Sequence, residues 1–501
     1  MMGKRIFAPK LYYQLSLDDL VPKNHLLRQI SSAIDFSFVY SLTKSHYSHT
    51  GQPSVDPAVI FKTMLIGYFY GITSERRLMN EIQVNLAYRW FLGFDIDEEI
   101  PDHSVLTKAR SRFGTDVFEK FFEQSIQACA KAGLLTEGPV YVDSTHVAAA
   151  ASLDSLVRRE DAIKPPYSPR EFVQKLSSDN PSTELDASSN RVADDINAIP
   201  KAQSSEFLTR GRHEGRTNDN YVSRTDPDAT VVNNARLGLR LAYKAHVSVS
   251  GKRGLVVTAA IVTTGIVGEE HLLGEVLKSH TKHTGMTVKQ AVADTRYGML
   301  ANYISLEQAG IEAFIPPHER NNGVNGYWGK ERFRYVPEKD VYICPAERTM
   351  AVFHVATIRG QRAKLYRCER GVCQNCQLHS RCTPPGNHRT VTRSINQGLI
   401  ERAKERLSTP VGQSVFGPRK TRIEGIFALG KDLHGLRRTR LMGRWKVQIQ
   451  VWLTVTVINL KRAARAMATL LDASSCSREK WVFVFSREQL DLTPTLAPPA
   501  S

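Results

Sequence analysis

The chain has 501 residues, 42% of them apolar, with a formal charge of +17 and a pI of about 9.5. That length predicts two to four domains. No run of about 18 apolar residues offers a membrane span, MMGKRIFAPK carries no secretory pattern, and seven Cys are too few for a disulfide scaffold, so a cytoplasmic protein is expected.

An excess of base this large points to a polyanionic partner, nucleic acid being the commonest. Residues 56 to about 133 read as helical. Asp56-Pro57 is an N-cap followed by proline at the first helical position, and an apolar stretch runs on to Tyr70. Ser74 caps a second helix through about Phe91. A third starts at Ser104 and carries Lys108, Arg110 and Arg112; it is either a plain bundle helix or one that enters a DNA groove. A fourth runs from Thr115 to Ala132 and stops at Gly133.

The periodicity then changes. Residues 139–147 (PVYVDSTHV) alternate as a strand does. Residues 152–234 are rich in Ser, Asp, Asn and Pro and read as a long polar excursion, partly disordered. Strands follow at 241–250 and 255–263, then a helix at 269–279, a strand at 289–294, a helix at 300–309 and a strand at 310–316. A hairpin followed by alternating helix and strand predicts a mixed α/β sheet.

Residues 320–395 break that rhythm and hold five of the seven cysteines. Cys373 and Cys376 form a short chelating pair, Cys382 lies close behind, and Cys344 can return as a fourth thiolate for a structural Zn²⁺. Cys368 is spare or an alternative ligand, and His379 is another candidate. Five reduced thiols in a loop-rich segment, or a redox C-x-x-C, remain open beside it. From Gln397 helical character returns. Residues 445–465 fit either a strand or a helix, and the stripe Trp445, Ile449, Trp452, Thr456, Asn459, Leu460 favours the helix. The tail after Cys476 ends in LTPTLAPPAS and reads as disordered at its tip.

Three acids stand out in so basic a chain. Asp143 follows Val140-Tyr141-Val142, and Asp294 ends the strand Ala291-Val292-Ala293, where ligand sites of open α/β sheets lie. Glu424 is followed seven residues later by Lys431, nearly on one helical face. Each alone is also an ordinary turn or surface acid. Three carboxylates on two strands and a helix can converge on a pair of Mg²⁺ (or Mn²⁺) ions, the usual device for in-line displacement at phosphorus.

These residues carry a resemblance. Tyr141-Val142-Asp143-Ser144-Thr145-His146, Ala293-Asp294-Thr295-Arg296-Tyr297-Gly298 and Arg422-Ile423-Glu424-Gly425-Ile426-Phe427 with Lys431 resemble, in order, the three acidic blocks of bacterial insertion-sequence DDE transposases. Ser54-Val55-Asp56-Pro57, Tyr70-Gly71-Ile72-Thr73-Ser74-Glu75-Arg76 and Pro101-Asp102-His103-Ser104 resemble that family's helical N-terminal domain. Residues 224–229, Tyr243-Lys244-Ala245-His246, the run 437–443 and Asn459-Leu460-Lys461 are similar to further family blocks. The resemblance spans roughly residues 10–470, and the Cys-rich insertion is similar to that of the insertion-sequence eleven-eighty-two branch.

The resemblance implies an α/β fold: an RNase H-like mixed-sheet catalytic domain over 136–475 with a Cys-rich insertion, preceded by an all-helical domain over 1–135 and followed by a tail, 476–501. It implies metal binding by Asp143, Asp294 and Glu424, a grip on the transposon end by Lys431, and a dimer or higher oligomer on DNA. Thr295-Arg296 and the absence of a Tyr just before Glu424 (Phe416 is nearest) depart from the family pattern.

Sixteen basic and four acidic residues lie between 393 and 465, a net +12 of the chain's +17. Phosphate contacts are accordingly expected from Arg419, Lys420, Arg422, Lys431, Arg437, Arg438, Arg440 and Arg444. The function expected is cleavage at the element's ends and joining of the freed 3′-OH to target DNA. The competing readings are a non-catalytic DNA-binding regulator and a metal-dependent nuclease that never joins.

Overall fold

In the computed structural model, which describes residues 15–48, 50, 54–159, 217–234, 238–252, 256–318, 326–358 and 360–475, the helix Pro57–Phe69 starts where Asp56 and Pro57 place it. The Asp56 carboxylate accepts the Ala58 N–H at 2.6 Å, satisfying a donor that the helix cannot. Most of this helix is buried, and Phe61 stacks on Phe113 and Phe121 at ring separations of 5.7 and 4.5 Å. Ser74 caps the helix Glu75–Val84, which ends earlier than expected. Asn85 leaves the helical region and its side chain caps a separate helix, Leu86–Leu92. An Asn that can bond the next turn's N–H groups breaks a helix that apolar periodicity alone would continue.

The segment Ser104–Lys131 is two helices meeting at Gly114, whose φ of 65° and ψ of −171° suit only glycine. Its basic first half is partly turned inward. Arg110 is buried and pairs with Glu75 at 2.5 Å, and Arg112 lies 4.9 Å over the Tyr47 ring. Two of the three basic side chains expected on that helix therefore pack on the bundle itself.

The first sheet is built from β1 (Val140–Ala148), β4 (Thr230–Asn234), β5 (Gly238–Ser250), β6 (Val256–Thr264), β7 (Gln290–Val292) and β8 (Glu312–Phe314), while β2 (Leu156–Arg158) and β3 (Tyr221–Ser223) form a separate ladder. β1 runs antiparallel to β5 and parallel to β7, which is parallel to β8. On its far side β5 pairs with β4 at its start and with β6 along the rest. The polar excursion is described only at its edges; residues 160–216, like the tail 476–501, lie outside the described residues.

The helix Arg444–Ser475 resolves the ambiguity of its sequence. Val447, Ile449, Val451, Leu453, Val455 and Val457 are all buried, and so are Gln450, Thr454, Thr456 and Asn459. A helix buried all round has no single apolar stripe, so period 2 and period 3.6 fit its sequence equally well. One face meets β6. Gln448 accepts the Val262 N–H at 2.7 Å and donates to the Ala260 carbonyl at 3.0 Å. Asn459 accepts the Val257 N–H at 3.0 Å and donates to the Val257 carbonyl at 2.9 Å. Two side-chain amides thus cover a strand edge with the bonds that a further strand would supply.

A second tie joins the N-terminal helices to the sheet. Glu119 accepts from His283 at 2.9 Å and Lys282 at 2.7 Å, and the His283 bond first, then Lys282, hold its carboxyl at about 2. No described helix is long and apolar enough to cross a membrane.

The Cys-rich segment is more regular than its sequence suggests. β9 (Arg334–Val336), β10 (Val341–Ile343), β11 (Thr349–Ile358), β12 (Gln361–Arg367) and β13 (Val391–Ser394) form an antiparallel sheet in the order β13-β12-β11-β10-β9. Much of β11 is exposed, so it lacks the inside–outside alternation that marks a strand. A small core of Phe333, Tyr342, Met350, Tyr366, Cys368 and Val391 underlies the sheet.

Asn459→Ala would strand the Val257 N–H and C=O inside the protein. With an unsatisfied buried group costing roughly 1–3 kcal/mol, the substitution should cost about 2–4 kcal/mol in urea unfolding. A loss below about 0.5 kcal/mol would mean that the edge is satisfied by other means.

Candidate active site

Parallel pairing of β1 with β7 sets two of the expected acids side by side. Asp143 lies within β1, and Asp294 follows the end of β7, where its carboxylate accepts the Arg296 N–H at 3.0 Å. A third carboxylate comes from the short turn after β6: Glu269, of Glu269–His271. One oxygen from each of Asp143, Glu269 and Asp294 lies within 4.8 Å of the others. Glu424 is outside this group and exposed. Sequence reasoning missed Glu269. Its only signal was an acidic pair, Glu269-Glu270, where the chain leaves a strand for a helix, which is common in surface turns.

Three carboxylates so close repel one another and lose solvent, and both effects favour the neutral acid. Burial pushes Asp143 up to about 6, with Asp294 and Glu269 adding to the rise against the Ser144 N–H and Arg419. Asp294 is raised as well, by burial first and then by Glu269. Glu269 is the one held below its ordinary value: burial opposes its charge, but the Ser144 hydroxyl, Lys244 and Arg296 outweigh it. Arg296 Nη1 sits 2.9 Å and Lys244 Nζ 3.6 Å from the Glu269 carboxylate. The trio offers hard oxygen donors of the kind that Mg²⁺ or Mn²⁺ takes. Beside it the hydroxyl of fully buried Tyr297 makes no hydrogen bond of normal geometry, and a ligand of the trio can satisfy it.

Glu424 is nonetheless carried by a segment that lies along β1. The helices Gln397–Ser408 and Pro410–Phe416 lead into a single π-type turn, Lys420–Glu424, and the helix Gly425–Leu433. Three side chains of this segment reach alternate residues on one face of β1. Arg422 donates to the Tyr141 hydroxyl at 2.6 Å, Arg419 to Asp143 at 2.9 Å and Lys431 to Thr145 at 2.6 Å. π-type turns recur at functional sites, and this one ends on the expected third acid.

The expected phosphate-binding residues divide into groups. Lys420, Arg437, Arg438 and Arg444 have exposed side chains, Arg437 pairing with Asp432. Arg419, Arg422 and Lys431 are bonded to β1 as above. Arg440 departs from the expectation. Its guanidinium donates to the Ile72 and His434 carbonyls at 3.0 and 3.1 Å and lies 4.1 Å over the Tyr68 ring. It joins the helical region to the sheet region, because two carbonyls and a ring offer it more than solvent does.

The five clustered cysteines line one cavity of about 30 Å³ together with His379 and Arg389. Burial, with Cys373 and Cys344 as neighbours, pushes the Cys368 thiol up to about 12, and burial likewise raises Cys382. Thiols that resist ionisation in isolation lose their protons readily to a bound cation, so the donor set suits zinc. Cys368, the spare of the sequence reading, lies among the others.

The raised Asp143 carboxyl has a consequence for stability. Between its ordinary value of 3.8 and about 6 the folded protein holds a proton that the unfolded chain has released. Stability therefore falls as pH rises through that window, and the loss is complete above it. Asp143→Asn has no such proton. The fall in its metal-free unfolding free energy between pH 4.5 and 7.5 should be smaller than that of the unsubstituted chain by about 1–3 kcal/mol. Parallel curves in urea titrations at the two pH values would contradict the raised carboxyl.

Comparison with known families gives two matches. Residues 15–112 match a family described as a transposase domain (DUF772), and residues 343–464 match a transposase DDE domain. No curated protein gives a significant match. The first match covers the N-terminal helices. The second holds the cysteine cluster, Glu424, Lys431 and most of the long buried helix. With a transposase domain over 15–112 and a transposase DDE domain over 343–464, the two matches support an insertion-sequence DDE transposase.

Proposed function

We propose that this protein is an active, metal-dependent DNA transposase with an RNase H-like catalytic domain, in which Asp143, Asp294 and Glu424 are the catalytic acids. One observation carries the reading. Carboxylates from two neighbouring parallel strands meet, and the segment bearing Glu424 lies along one of those strands through Arg419, Arg422 and Lys431. The strand order β6-β5-β1-β7-β8, antiparallel on one side of β1 and parallel on the other, supports the fold assignment.

The reaction is hydrolysis of a phosphodiester at each end of the element, followed by attack of the freed 3′-OH on target DNA. Asp143, Asp294 and Glu424 would hold two Mg²⁺ or Mn²⁺ ions, which would supply water activation and charge neutralisation at phosphorus. The chain's own residues bind and orient the DNA. Lys420, Arg437, Arg438 and Arg444 offer exposed charge for backbone phosphates, and Lys431 holds the transposon end beside Thr145. No covalent protein–DNA intermediate is required, so no Ser or Tyr nucleophile is assigned. Two ends must be brought together, which calls for a dimer or larger assembly on DNA.

Cys344, Cys373, Cys376 and Cys382 would hold a zinc ion with a structural role in the Cys-rich segment, and the Cys-rich insertion favours the eleven-eighty-two branch. The core of the β9–β13 sheet has few apolar residues, and a metal supplies the cohesion that such a core lacks.

Asp143→Asn should abolish Mg²⁺-dependent cleavage of a duplex carrying the element's end while leaving binding to that duplex unchanged. Full cleavage by the variant would sink the assignment. Cleavage without joining of pre-cut ends would instead make the protein a nuclease. Purified protein should carry one zinc per chain by elemental mass spectrometry, and Cys373→Ser with Cys376→Ser should lose it. Zinc-free protein of normal stability would remove the structural role.

A further inference from the structure

We propose that Glu269 is a ligand of the divalent cation held at Asp143 and Asp294, a third carboxylate already in place without DNA and independent of Glu424. The inference rests on the reading of Asp143 and Asp294 as metal-binding acids and extends it to a residue outside the expected acidic blocks.

Four observations carry it. The three carboxylates come from three different elements and meet within 4.8 Å, a crowding that positive charge must offset. Glu269 is 5% exposed, so its charge faces the trio and not solvent. The Tyr297 hydroxyl, fully buried beside the same three acids, makes no hydrogen bond of normal geometry, with the Ser144 hydroxyl near it. Glu424, which the acidic motif would make the third ligand, lies outside the group.

Surrounding bases fit the same account. Arg419 bonds Asp143 at 2.9 Å, while Arg296 and Lys244 face Glu269. They compensate the acids in the metal-free chain, and the Arg296 side chain, 62% exposed, is free to swing into solvent when a dication takes its place. Arg296 is therefore a competitor of the cation, in contrast to a fixed structural partner.

Mn²⁺ binding to the full chain without DNA, followed by isothermal titration calorimetry, tests the proposal. Glu269→Gln should weaken binding at least tenfold, as should Asp143→Asn. Glu269→Asp, which keeps the charge but draws the carboxylate back by one methylene, should also weaken it severalfold. Arg296→Ala should tighten binding severalfold, and it decides the matter if the Glu269 variants fail to fold.

Wild-type affinity in Glu269→Gln with binding lost in Asp143→Asn would overturn the proposal and leave the Asp143–Asp294 reading standing. Unchanged or weakened binding in Arg296→Ala would likewise overturn it. Unchanged binding in Asp143→Asn, or no Mn²⁺ binding by the unsubstituted chain, would overturn both.

Discussion

The edge of β6 is where this molecule is held together. An open strand edge is a row of donors and acceptors that must be paired, covered or wetted. Here Gln448 and Asn459, eleven residues apart on one buried helix, bond to the backbone of Val257, Ala260 and Val262. The same helix packs against the N-terminal helices, where Asn459 also reaches Ser125 and the Asn459 carbonyl meets the Cys129 thiol. A single element thus closes the sheet and docks the helical region on it. The two ends of the chain are joined there, and the two family matches fall on those two ends.

With β6 fixed, the turn that follows it is fixed as well, and Glu269 enters the space beside β1 and β7. The electrostatics of that space fit a cation. Acids are crowded at a cost, with Asp143 and Asp294 raised, and bases stand near them: Arg419, Arg296 and Lys244. Such crowding lowers stability and is tolerated where function needs it. Arg419 ties the segment that leads to Glu424 onto the trio, since it bonds Asp143.

Charge has a second role away from the acids. The excess of base between 393 and 465 is divided between side chains that hold the protein together and side chains left in solvent. Arg440 spends its hydrogen bonds on carbonyls and its face on Tyr68, while Lys420, Arg438 and Arg444 stay exposed. Sequence composition counts all of these alike. The first group contributes to the fold, and the second presents its charge to solvent.

The sequence by itself determined the local events. Asp56-Pro57, Ser74, Gly114 and Gly133 set helix ends through caps and backbone freedom, and the alternation of 139–147 set a strand. These depend on neighbours within a few residues. Asp143 and Asp294 were legible because each acid interrupts or ends an apolar strand, and the cysteines because their spacing is itself a chelating pattern. Tertiary structure decided the rest. It buried residues 449–460 of the last helix on every side, which erased the periodicity that would have announced it. It also made a sheet of a segment with few alternating residues, and turned Arg440 inward. Glu269 was brought to Asp143 by the return of β6 across the sheet, a contact spanning 126 residues of chain. Local pattern records which residues a segment can bury; only the packing of distant segments fixes which charges meet.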